Sequence, residues 1–153
     1  MSFGSNSLPP PTPLERARVD AFTVCIPCLI NGMFATGWTP EGMDPRIARK
    51  ARRFVATGMI VENHHTLSGG IRRGHRFTFG NCLWHHRALL LPGFTTSSMT
   101  ARYGPSLVKG SKPFHDVYGS DDELIAMQDY LIYGDQIPGA LMALMPIYRH
   151  TAQ

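Results

Sequence analysis

Residues 21–40, AFTVCIPCLINGMFATGWTP, contain no charged side chain. A run of this length and character has to be covered by the rest of the chain, by a partner or by lipid. Wound as a single helix it would be about 30 Å long, the thickness of one bilayer core. Pro27, Asn31, Gly32 and Gly37 interrupt it, and polar or helix-breaking residues in mid-span raise the cost of insertion. Its small residues would let a neighbouring helix approach closely. Two expectations follow: a single membrane-embedded helix packed on other helices, or a buried helix or strand pair.

Charge is segregated around this run. Residues 45–112 hold twelve of the fifteen Lys and Arg and one acid, Glu62, for a net +11. Residues 113–153 carry −5 and residues 1–44 carry −2. A block this basic needs something negative beside it: nucleic acid, anionic lipid or an acidic protein surface. Charged residues make up 17% of the chain, below the roughly 25% usual in soluble domains. That deficit points to surface covered by partner subunits or lipid.

Four stretches result. Residues 1–20 read as an extended, Pro-rich N-terminal arm, and 21–40 as the apolar segment. Residues 41–119 form a basic region containing an amphipathic helix over 44–62, and 120–153 an acidic and apolar helical region. In 44–62, Asp44 and Pro45 are start signals. Ile47, Ala51, Phe54, Val55, Gly58 and Val61 share one helical face, and Arg46, Arg49, Lys50, Arg52 and Arg53 occupy the rest. These five cations are the first candidates for contacts with anionic lipid or an acidic partner, followed by Arg72, Arg73 and Arg76. Ser68-Gly69-Gly70 marks a turn, and the alternation around Phe77 and Phe79 suggests a small β-hairpin. A short helix is expected within 81–94, capped by Asn81 and stopped before Pro92. Residues 95–119, rich in Ser, Thr, Gly and Pro, read as loop. Ser120 and Glu123 form a capping box for a helix ending at Gly134. The expected fold is mainly α, with long irregular segments.

Cys25-Ile-Pro-Cys28 has a spacing used for metal chelation and dithiol redox chemistry, and Cys82, His85 and His86 could add ligands. With no second C-x-x-C, the plain expectation is buried free cysteines and no bound metal; Cys25, Cys28, Cys82 and His85 are the candidates if a metal is held. The histidine pairs His64-His65 and His85-His86 read as polar loop or interface residues. No P-loop, dinucleotide, G-x-S-x-G or H-E-x-x-H pattern occurs, so neither catalysis nor a cofactor is expected.

The function these features favour is a non-catalytic accessory subunit, structural or assembling, of a large membrane-associated complex. The setting that suits it is the respiratory-chain machinery of the mitochondrial inner membrane. If 21–40 spans, the basic 41–53 flank puts the C-terminal bulk on the matrix side. Its partners would be other protein subunits and anionic lipid. The alternative is an RNA-bound structural protein of an organellar ribosome or other ribonucleoprotein. A third is a small Cys/His metal or redox protein.

Overall fold

A computed structural model describes residues 8–21, 24–36 and 59–150, and among these the chain forms seven α-helices and two small antiparallel β-pairs. The order is α1 (Pro13–Asp20), α2 (Ile26–Thr36), β1 (Val61–His65), β2 (Leu67–Ser68), β3 (Ile71–Arg72), β4 (Thr78–Cys82), α3 (Leu83–Arg87) and α4 (Thr96–Tyr103). A 3-10 turn (Leu107–Lys109), α5 (Ser111–Tyr118), α6 (Asp121–Tyr133), α7 (Gly139–Met142) and a last 3-10 turn (Pro146–His150) follow.

β4 is the centre of the molecule, with all five residues buried. It pairs with β1 in a register running from Val61↔Cys82 to His65↔Thr78. β2 and β3 continue this pairing outward as a hairpin tip, Leu67↔Arg72 and Ser68↔Ile71. The tip closes through Gly69 and Gly70, both at positive φ, where glycine alone carries no Cβ penalty. β4 runs directly into α3, so β1, β4 and α3 form one strand–strand–helix unit.

Two apolar clusters flank that unit. Ile26, Ile30, Phe79, Phe114, Tyr118, Leu124, Ile125 and Met145 form one. Cys25, Cys28, Cys82, Trp84, Met99 and Tyr103 form the other. The first turns of α2 therefore serve both, and this decides the fate of residues 24–30 of the uncharged run. Ile26, Cys28, Leu29 and Ile30 are covered by the protein itself. α2 is eleven residues long, and no helix among the described residues is long and apolar enough to cross a membrane. The membrane-embedded helix is not supported, because the apolar face that suggested it is core.

α1 is held to this core by charge. Arg18 on α1 and Arg76 before β4 both bind Asp129 of α6, at 2.7 and 2.6 Å, and all three are buried. Arg18 also donates to the Thr78 hydroxyl and carbonyl at 2.8 Å, Arg76 to the Leu141 carbonyl at 3.0 Å, and the Tyr148 hydroxyl to Asp129 at 2.7 Å. One carboxylate thus meets two guanidinium groups, and the spare donors find oxygens, as buried ions require. Burial holds the Arg18 pKa below its ordinary value, with Asp129 acting in the opposite sense.

Several local expectations change. Residues 44–58, with Arg46, Arg49, Lys50, Arg52 and Arg53, lie outside the described residues. Val61 and Glu62, expected at the end of that helix, instead open β1. α3 is capped at Cys82, not Asn81, and ends when Ala88 turns left-handed at φ 58°. Residues 95–119 are not loop. Thr95 and Ser98 form a complete capping box for α4, and Gly104 and Gly119 stop α4 and α5. α6 begins after Ser120 and ends at Gly134 as anticipated, although only the Ser120 half of the box, accepting from the Glu123 N–H at 3.2 Å, is formed.

Candidate functional site

The first feature is a convergence of sulfur and nitrogen. The start of α2 supplies Cys28, the residue just before α2 is Cys25, the end of β4 supplies Cys82, and the third residue of α3 is His85. Their ligand atoms all lie within 4.8 Å of one another. His85 Nδ1 is 3.5 Å from the Sγ of Cys25, 3.5 Å from that of Cys28 and 3.2 Å from that of Cys82. The sulfurs of Cys28 and Cys82 are 3.8 Å apart, and the three cysteines are unbridged. A tetrahedral zinc with Zn–S of about 2.3 Å and Zn–N of about 2.0–2.1 Å has S···S edges of about 3.8 Å and S···N edges of about 3.5 Å. The Cys28–Cys82 edge and the three edges to His85 lie within about 0.3 Å of those values.

The surroundings fit as well. His85 Nε2 lies 2.8 Å from the Tyr103 carbonyl and 3.2 Å from the Tyr118 hydroxyl. Donation of Nε2–H to that carbonyl leaves the Nδ1 lone pair aimed at the sulfurs, the tautomer a metal ligand needs. The Cys28 backbone N–H donates to Cys25 Sγ at 3.4 Å. Without a cation the cluster is electrostatically awkward. Burial pushes the Cys25 thiol well up. Hydrogen bonds with Cys25 and Cys28, and then His85, hold the Cys82 thiol well down. Burial opposes protonation of His85, but Cys28 and Cys82 outweigh it and raise its pKa to about 9. A dication lets all three thiols ionise together.

The second feature lies across the same strand–strand–helix unit. Glu62 and His64 alternate on β1 and face His86 of α3. His86 Nδ1 is 3.1 Å from Glu62 Oε1, and His86 Nε2 is 3.3 Å from His64 Nδ1. The other Glu62 oxygen accepts from Arg87 at 2.6 Å. One assignment of protons satisfies every atom: His86 Nδ1–H donates to Glu62, His64 Nδ1–H donates to His86 Nε2, and His64 Nε2 keeps a free lone pair. Burial, followed by His86, His65 and His115, lowers the His64 pKa to about 4. His115, near enough to act on His64, is itself 3.5 Å from Asp121.

The adjacent histidines therefore separate. His85 faces sulfur and His86 faces Glu62. His64 faces His86, while His65 lies on the opposite side of β1, 3.3 Å from His75. Glu62 and His86 were missed as partners in the sequence. The signal was there, because strand periodicity puts residues 62 and 64 on one face, but a helix drawn through 62 conceals it. Cys82 and His85, already candidates with Cys25 and Cys28 in the sequence, are brought together with them by the fold, and His86 is not.

Of the remaining candidates, Arg72 is exposed on β3. Arg73 binds Asp122 at 2.6 Å and stacks over Phe77 at 4.3 Å. Arg76 has its acidic partner, Asp129, inside the same chain. Part of the basic block is thus neutralised by the acidic C-terminal third.

No curated protein and no solved structure matches the chain. A family model does, over residues 11–132, a span that contains the four-ligand cluster, Glu62, His64 and His86. The chain belongs to the recombination enhancement, RecA-dependent nuclease family.

Proposed function

We propose that this protein hydrolyses DNA phosphodiester bonds at the β1–α3 face, with His64 as the base that activates water. The observation that carries it is the Glu62–His86–His64 chain of hydrogen bonds. Glu62 fixes the His86 tautomer, His86 fixes that of His64, and His64 Nε2 is left to take a proton. As the water oxygen bonds to phosphorus, its proton passes to His64 Nε2. The P–O bond to the leaving sugar oxygen breaks, and that oxygen takes a proton from solvent. The imidazolium formed on His64 is stabilised through His86 by the Glu62 carboxylate. Burial makes free His64 a reluctant base, and a bound phosphate beside it raises its pKa.

The four-ligand cluster supports this site without entering the reaction. We read it as a structural zinc centre: three cysteines and one histidine close a tetrahedron and leave no position for substrate. Cys82 and His85 bracket the β4–α3 junction, so the metal would set where His86 points.

The family overturns the accessory-subunit expectation. A recombination nuclease is an enzyme acting on nucleic acid, not a structural or assembly component of the mitochondrial inner membrane or respiratory chain. Protein subunits and anionic lipid have no support as partners. Nucleic acid, the alternative partner in the sequence reading, is the one the family implies.

The test is cleavage of labelled single-stranded and duplex DNA, with and without RecA filaments, as the family's name suggests. His64→Ala and His86→Ala should slow it at least about 100-fold while leaving the circular dichroism spectrum unchanged. Full activity in His64→Ala would remove the proposal. A strict requirement for added divalent cation would show that the two ring nitrogens hold a metal in place of the relay.

A further inference from the structure

The reverse face of β1 carries a second feature that the hydrolytic site does not use. A cleft of about 210 Å³ lies between α1 and β1, lined by Pro11, Arg16, Val19, Asn63, His65 and His75. Its chemistry is one-sided. Arg16 brings a cation, and no carboxylate lines it. His75 Nε2–H donates to the Pro9 carbonyl at 3.0 Å, and His75 Nδ1 meets His65 Nε2 at 3.3 Å. Among the described residues Arg16 makes no ion pair. Its neighbours on α1 are committed elsewhere: Glu15 to the Thr12 N–H at 2.9 Å and Arg18 to Asp129. Asn63 Oδ1 is buried in this region with no hydrogen-bond partner. Rotating that amide by 180° presents Nδ2–H to the same space.

A guanidinium without an acid and an unpartnered buried amide, around a space of roughly seven water volumes, constitute an anion site, while the two histidines spend their N–H groups on the Pro9 carbonyl and on each other. We infer that this cleft binds a backbone phosphate of the DNA strand held for cleavage, with Arg16 as the principal contact. The inference rests on the nuclease proposal and adds where the substrate is held. Asn63 and His65 alternate along β1 with Glu62 and His64, so a strand crossing the edge of β1 presents one phosphate to His64 and a neighbouring one to Arg16. The buried Arg18–Asp129 pair gives the contact its rigidity. It pins α1 to the core, and so places the backbone of Arg16, two residues earlier, beside the cleft. Guanidinium suits the role because its forked donors match phosphate oxygens.

The experiment is salt-dependent binding of a fluorescent duplex oligonucleotide to His64→Ala protein, which keeps the ligand intact during the measurement. Adding Arg16→Ala should weaken binding several-fold and reduce the slope of log K against log [NaCl] by about one phosphate's worth, about 0.9. Arg16→Lys should restore the slope but not all of the affinity. Arg16 is exposed, so the fold should survive either change. An unchanged slope in Arg16→Ala, with wild-type protein still cutting DNA, would overturn the phosphate site alone. Absence of DNA binding by His64→Ala protein together with absence of cleavage by wild type would overturn both proposals.

Discussion

His64 Nδ1 lies 3.3 Å from His86 Nε2, although the two residues come from different elements and 22 positions apart. The contact exists because His86 is gripped from behind by Glu62 at 3.1 Å. Glu62→Gln should therefore lower kcat while leaving substrate binding largely intact, because the amide still holds the ring but cannot stabilise the imidazolium. Loss of the base itself, in His64→Ala, should cost about 10²–10⁴-fold in rate. Steady-state cleavage kinetics on a labelled duplex would measure both, and a larger loss in Glu62→Gln than in His64→Ala would contradict the assigned order of the relay.

The pH behaviour follows from burial. His64 is lowered from 6.5 to about 4, first by burial and then by His86, His65 and His115. A base works when deprotonated, so kcat/KM should stay flat down through pH 6 and fall only as pH approaches about 4. The same shift carries a stability consequence. The unfolded chain binds this proton at pH 6.5 and the folded one does not until about 4, so stability should decline as pH drops through that window. An acid limb in kcat/KM near pH 6.5 would show that a different histidine is the base.

Metal content is the direct check on the four-ligand cluster. Purified protein should carry one equivalent of zinc, and Cys82→Ser or His85→Ala should lose it. Because ligand burial and folding are coupled, chelation should also lower the thermal midpoint sharply. Protein that is metal-free by elemental analysis yet equally stable would leave the cluster as three thiols and an imidazole.

Asp129 holds two buried arginines, Arg18 at 2.7 Å and Arg76 at 2.6 Å. Asp129→Ala leaves both guanidinium groups without a counter-charge, and removing one partner of a buried pair typically costs about 3–5 kcal/mol. Urea unfolding should show a loss of at least that order. A change under about 1 kcal/mol, the scale of an exposed pair, would mean that water reaches the network.

Gly104 stops α4 at φ +82°, and a Cβ there would collide with the Tyr118 hydroxyl. That hydroxyl lies beside His85 and donates to the Tyr103 carbonyl at 2.8 Å. Gly104→Ala should therefore reduce zinc affinity as well as stability, which competition with a chromogenic chelator would read.

What the sequence disclosed depended on the range of the interaction. α6 was legible from Ser120, its acidic first turn and Gly134, all local signals. α4 and α5 were not, since eight-residue helices with few apolar positions resemble loop until their caps are noticed, and Thr95, Ser98, Gly104 and Gly119 were those caps. The candidate metal ligands were individually visible, but two pairs separated by more than fifty residues have no sequence signal that they meet. The basic block misled for a related reason. Arg73 and Arg76 looked in need of an outside anion, and Asp122 and Asp129 supply one from within the chain. The uncharged run suggested lipid because its covering surfaces, β4, α5 and α6, lie so much later in the chain.

The cysteine and histidine ligands also fix an order of events during synthesis. Cys25 and Cys28 leave the ribosome well before Cys82, which lies 54 residues beyond Cys28. The nascent chain can offer a metal only two thiols until β4 and the start of α3 have emerged. Full coordination of the proposed zinc would wait for that closure, and once made it would join an early apolar segment to the strand at the heart of the molecule. A fragment ending before His85 would hold a metal weakly and exchange it freely, whereas the finished chain would lock both metal and fold in a single step.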